Sequence, residues 1–94
     1  MVMSPDAAET IALQALGWLI GSEDLRDVFL GSSGLSEMDL KSRASDPELL
    51  ASVLDFLVMD DAWVIRFCDE IGLPYDKIMQ LRAALPGGEQ VHWT

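Results

Sequence analysis

Residues 10–40 of this chain align with residues 48–78 at a constant offset of 38, without a gap. Ile11 falls on Leu49, Leu16 on Leu54, Trp18 on Phe56, Leu19 on Leu57 and Ile20 on Val58. The match continues with Leu25 on Trp63 and Phe29 on Phe67, then Gly34-Leu35 on Gly72-Leu73 and Leu40 on Ile78. Self-similarity at a fixed period constrains a fold before any single residue does, because each copy is one supersecondary unit. A copy of this size is too small to bury its own apolar face, so the two must share a core. Duplication is one origin of the match. The other is that two buried helices, each followed by a shorter capped one, align because apolar stripes have a common period. The architecture is the same under either.

Both halves, about 4–45 and 46–86, open with the same device. Ser4-Pro5 and Asp46-Pro47 put a side-chain acceptor at the cap and a proline at the first helical position, where its missing N–H breaks no bond. From Ser4 a helix runs to about Gly21, burying Ala8, Ile11, Ala12, Ala15, Leu16 and Leu19 at three-and-four spacing. Ser22 with Glu23 and Asp24 caps a second helix that buries Leu25, Val28 and Phe29 and stops near Gly31. The segment Gly31-Ser32-Ser33-Gly34 reads as a flexible turn, and Ser36 with Asp39 as the capping box of a short third helix.

In the second half, Leu49, Leu50, Val53, Leu54, Phe56, Leu57 and Val58 leave only Glu48, Ser52 and Asp55 as a polar strip, which predicts the central core helix. Asp60-Asp61 caps a fifth helix burying Trp63, Val64, Phe67, Cys68 and Ile71 and closed by Gly72. A sixth, from about Tyr75 to Leu85, buries Ile78, Leu81 and Leu85. Pro86-Gly87-Gly88 ends it and releases a flexible tail, 87–94. The expected fold is all-α: a compact bundle of about six helices in two similar three-helix halves, one domain over residues 1–86.

The net charge of −10 is unevenly placed: −4 over residues 1–45, −7 over 46–76 and +1 over 77–94. A negative field repels phosphate backbones and anionic membranes, and it favours basic protein partners or simply solubility. The longest apolar runs, Ile11 to Ile20 and Leu49 to Met59, are interrupted and too short to span a bilayer. Cys68 is the single cysteine, and Met1-Val2-Met3-Ser4-Pro5 lacks the charged start and apolar run of a signal peptide. The expectation is a cytoplasmic protein with no membrane segment.

Site chemistry is hard to assemble. Asp60-Asp61 and Asp69-Glu70 lack the alternating ligand pattern of a calcium loop, so caps and solvated faces explain them better than a metal. Cys68 falls on an apolar helix face without a partnering base, and the only histidine, His92, follows two glycines in the tail. No enzyme and no cofactor are expected. Residues 60–85 also fit a helix-turn-helix, with Gly72 at the turn and Ile78 and Leu81 as anchors. The would-be recognition helix, however, offers only Lys77, Gln80 and Arg82 against the nearby acids, so nucleic acid is not the expected partner.

The remaining candidate is a surface for another protein. Trp18, Trp63, Met38, Met59, Met79 and Tyr75 stand near element ends, and aromatic and methionine side chains are enriched where partners bind. Core packing accounts for most such residues; two or three found exposed and adjacent, ringed by acids, would mark a binding face. The candidate surface is Trp18, Trp63, Met59 and Tyr75 with Asp60, Asp61, Asp69 and Glu70, and the expected partner is a basic or amphipathic protein.

The order Leu54-Asp55-Phe56-Leu57, Phe67, Gly72-Leu73-Pro74 and Arg82-Ala83-Ala84-Leu85-Pro86-Gly87-Gly88 resembles an uncharacterised family, a domain of unknown function, of short acidic helical proteins from alphaproteobacteria. The resemblance spans roughly residues 7–88. It implies a cytoplasmic bacterial protein. Its motifs are caps, turns and core, so it transfers no functional residue.

Overall fold

The computed structural model describes residues 4–85. At both Xaa-Pro starts the cap is made. The Ser4 hydroxyl accepts from the Ala7 N–H at 3.2 Å and opens α1 (Pro5–Gly21). The Asp46 carboxylate accepts from the Glu48 N–H at 3.0 Å and opens α4 (Pro47–Leu57). Asp46 also takes two bonds from the Arg43 guanidinium, at 2.9 and 3.2 Å, and these hold its carboxyl below the usual range. Between them lie α2 (Glu23–Ser33) and α3 (Glu37–Ser42). The capping box of α3 closes reciprocally: the Asp39 N–H donates to the Ser36 hydroxyl at 3.1 Å and the Ser36 N–H to the Asp39 carboxylate at 2.9 Å. After α4 come α5 (Asp61–Ile71), capped by Asp60 on the Ala62 N–H at 2.8 Å, and α6 (Lys77–Ala83).

The repeat shows in the order of the helices and in which residues are buried. α1, α2 and α3 correspond to α4, α5 and α6. Leu16 and Leu54, Leu19 and Leu57, Phe29 and Phe67, and Leu40 and Ile78 are buried pairwise. Gly34 and Gly72 close α2 and α5 at φ 76° and 73°, the left-handed conformation that glycine adopts without a Cβ clash. α1 packs on α4 at the centre, α2 on α1, α5 on α4, and α6 against both α1 and α4. Trp18 meets Phe67 with ring centroids 5.7 Å apart, and Phe29 meets Phe56 at 5.2 Å. The offset carries Trp18 onto Phe56 and Phe29 onto Phe67, so these contacts are counterparts, and each joins one half to the other. A single buried cluster contains residues of both halves.

Four local expectations are corrected. Ser22 does not cap α2 through its side chain; its hydroxyl donates back to the Trp18 carbonyl at 2.9 Å, because only one residue separates the helices and the freed carbonyl of α1 is within reach. Gly31 to Ser33 are helical rather than a turn, since only Gly34 takes a positive φ and ends the helix. Val28 is 49% exposed: α2 buries just Leu25 and Phe29, one turn apart, and Val28 falls outside that narrow stripe. α6 is shorter than expected at both ends. Pro74 to Asp76 form tight turns, with Lys77 N–H on the Pro74 carbonyl at 3.0 Å and Ile78 N–H on that of Tyr75 at 3.2 Å. The tail expected at 87–94 lies outside the described residues. Among the described residues no helix is long and apolar enough to cross a membrane.

Candidate functional site

Two helices in a bundle leave a surface furrow wherever nothing covers the line between them, and side chains decide whether it is polar or apolar. Beside α5 and α6 it is apolar. A groove of about 370 Å³ runs there, with Asp61, Val64 and Ile65 on α5, Tyr75, Ile78 and Met79 across from them, and Val58 at the end of α4. Ile78 is buried and Val64 half-buried, forming the floor; Ile65, Tyr75 and Met79 are 43%, 51% and 65% exposed and form the walls. Asp61, Ile65 and Asp69 are spaced by four residues, which sets acid, aliphatic and acid in one row along α5. The Tyr75 hydroxyl donates to the Asp69 carboxylate at 2.6 Å. That bond, followed by burial, raises the phenol's pKa, and the bond ties the ring to α5 at the mouth.

The repeat offers an internal control. At the same offset, Val64, Ile65, Tyr75 and Met79 correspond to Arg26, Asp27, Glu37 and Lys41. The equivalent positions of the first half thus carry four charged residues, although Leu40 lies buried there as Ile78 does in the groove. Packing one half on the other does not require apolar side chains at these places. In the second half they are uncharged, and three of them, Ile65, Tyr75 and Met79, are open to solvent.

Of the residues singled out from sequence, the groove collects Asp61, Tyr75 and Met79 in its lining and Asp69 through Tyr75, while Met38 is exposed on α3 in the first half. Met59 is 75% exposed next to Val58 in the chain but outside the lining. Asp60 is spent on the cap of α5, and Glu70 is exposed beside Asp69. Trp18 and Trp63 lie elsewhere, half-buried among rings: Trp63 stacks on Phe56 at 4.7 Å, while Trp18 leans on Phe67 and carries the Arg66 guanidinium 5.6 Å from its centroid. Ile65 and Val58 were missed as surface residues; the signal for Ile65 was its pairing with Asp27.

Other chemistry finds little support in this geometry. Cys68 is buried, and burial, then the neighbouring Asp69 charge, pushes its thiol pKa up, away from a reactive thiolate. Among the described residues no three His, Cys, Asp or Glu side chains are placed to hold a metal ion, and His92 lies outside them.

The family model described as Protein of unknown function (DUF3572) matches residues 5–88. The chain belongs to this family. The match takes in both halves of the repeat and the whole groove, so the DUF3572 unit is the full six-helix bundle rather than one half of it. No curated protein and no solved structure matches this DUF3572 chain.

Proposed function

We propose that this chain is a non-enzymatic, cytoplasmic interaction module that docks a segment of another protein in the groove beside α5 and α6. The observation that carries the reading is the exposed set Ile65, Tyr75 and Met79, at positions where the equivalent half carries Asp27, Glu37 and Lys41. Exposed large apolar side chains gathered in one concavity cost solubility without adding core, and a partner that covers them accounts for their presence. The lone buried thiol of Cys68 suits a reducing compartment.

The test is surface-dependent capture. Wild type and an Ile65→Asp/Met79→Asp variant, matched for fold by circular dichroism, are used as bait in cell extract at low and high salt. A specific protein held by wild type and lost by the variant is the expected result. Identical recoveries from the two, or none from either, would count against the groove.

A helix-turn-helix reading of residues 60–85 draws on the left-handed corner at Gly72. Against it, α6 exposes Met79, and Arg82 is held by Asp55 through bonds of 2.5 and 3.2 Å. Gel-shift with random duplex at low salt separates the two readings, since non-specific phosphate attraction is the least such a domain must show.

A further inference from the structure

Resting on the interaction reading above, we infer that the occupant of the groove is a basic amphipathic helix, lying along α5 with apolar anchors between Ile65 and Met79 and Lys or Arg flanks over Asp61 and Asp69. Three features carry this.

The first is the backbone. The walls are α5, α6 and the turn at Tyr75 ahead of α6, whose Pro74 and Tyr75 carbonyls accept from the Lys77 and Ile78 N–H groups, and the lining is mostly aliphatic, so the groove has no strand edge to extend. A segment entering such a place must satisfy its own backbone hydrogen bonds, as a helix does. On α5 the groove is lined by Asp61, Val64 and Ile65, and the row continues to Asp69, a rise of about 12 Å at 1.5 Å per residue, room for about two turns of a partner. Apolar anchors at i, i+3 or i+4, and i+7 would match the spacing of Ile65 and Val64 on one side and Met79 and Tyr75 on the other.

The second is charge. Asp61 and Asp69 sit one turn to either side of Ile65 on the groove row of α5. Near Asp69 the carboxyl end of α5 adds the negative pole of its dipole. The cation on α5, Arg66, reaches away toward the first half, over the Trp18 ring and 3.8 Å from Asp24. Of the two cations on α6, Arg82 is bonded to Asp55 on α4, and Lys77 is half-buried, between Tyr75 and Met79 in the chain. An apolar stripe bordered by carboxylates complements an apolar stripe bordered by ammonium or guanidinium groups.

The third argues against a second copy of this chain. A two-fold contact would lay the row of Asp61 and Asp69 against the same patch on a molecule that also carries a net charge of −10. Like charges so placed oppose association.

The probe is a fluorescein-labelled peptide of about 14 residues with a Leu stripe at helical spacing and Lys on the remaining positions, titrated with the full chain by anisotropy. Comparators replace every Lys by Gln or by Glu, and one scrambles the Lys peptide so that no stripe remains. The Lys peptide is expected to bind at least about tenfold more tightly than the other three, to weaken several-fold as salt is raised, and to lose about tenfold or more with Ile65→Asp or Met79→Asp. Leu13→Asp, at an exposed site on α1, should leave it unchanged. Equal, groove-dependent binding of the Lys and Gln peptides overturns the basic helix and leaves the groove reading standing. Binding of the scrambled peptide as tight as the striped one overturns the helix. Failure of every peptide to bind, or binding that ignores Ile65→Asp and Met79→Asp, overturns the helix and the groove together. Concentration-dependent dimers in sedimentation, abolished by Ile65→Asp, overturn it in favour of self-association.

Discussion

Leu19 on α1 and Leu57 on α4 are repeat counterparts, and both are fully buried in the helix pair at the centre of the bundle. Cutting either to alanine removes one methine and two methyl carbons from a fully buried position. Buried Leu→Ala changes cost about 3–5 kcal/mol, the transfer loss plus the cavity left behind. A domain of this size is stabilised by about 5–15 kcal/mol in all, so each change should remove a large share of the total without abolishing the fold. With a urea slope of about 1–3 kcal/mol per molar, the midpoint should fall on the order of 2 M in both cases. Because the positions are equivalent, the two losses should agree within about 1 kcal/mol, inside the spread that buried Leu→Ala sites show. The assay is urea unfolding followed by far-ultraviolet circular dichroism and by tryptophan fluorescence. Coincident curves are expected, since a single core cannot melt in halves. A loss under about 1 kcal/mol at either site, or two separate transitions in the wild type, would refute the shared core.

Three further predictions concern local devices. Gly34→Ala and Gly72→Ala should each destabilise by about 1–2 kcal/mol in thermal or urea unfolding, because both positions hold φ near +75° and a Cβ is disfavoured there even with open space around it. Asp39 and Asp46 are held below the ordinary carboxylate range, Asp39 chiefly by the Ser36 N–H and Asp46 by Arg43. Their contribution is therefore complete above the unfolded value of about 3.9 and is lost as pH falls through the lowered folded values; a Asp39→Asn/Asp46→Asn protein should lose less stability than wild type over that interval in urea titrations from pH 5 downward. The Arg82 and Asp55 pair ties α6 to α4, yet Asp55 is mostly exposed, so Asp55→Asn should cost no more than about 1 kcal/mol by the same unfolding assay.

The helix starts were legible because a cap is a local bargain among three or four residues. Ser4, Ser36, Asp46 and Asp60 each bond a backbone N–H within the next turn, and nothing distant competes. The closure at Gly72 was equally local. Ser22 misled because it serves two helices at once, and the hydroxyl went to the earlier one. The end of α2 was misplaced because Gly31 and Gly34 look alike in sequence while only the second needs its missing Cβ. The groove was half-legible. Tyr75, Asp61 and Asp69 stood out by residue type, but the exposure of Ile65 depends on how far α6 stands from α5, a distance that apolar periodicity does not encode. Trp18 and Trp63 were drawn toward the surface by the same reasoning by type, whereas ring contacts from the opposite half and from Phe56 hold them at the core margin.

The crossed ring pairs, Trp18 with Phe67 and Phe29 with Phe56, let each half complete its core with a ring from the other. In a dimer of identical subunits every surface feature occurs twice, so a second groove would accompany the first and every charge would have its twin. Two similar halves on one polypeptide are free to differ position by position. Residues 26, 27, 37 and 41 carry charges where 64, 65, 75 and 79 do not, so the hollow at Glu37, Met38, Lys41 and Ser42 is walled largely by polar residues while the one at Tyr75 and Met79 is walled largely by apolar ones.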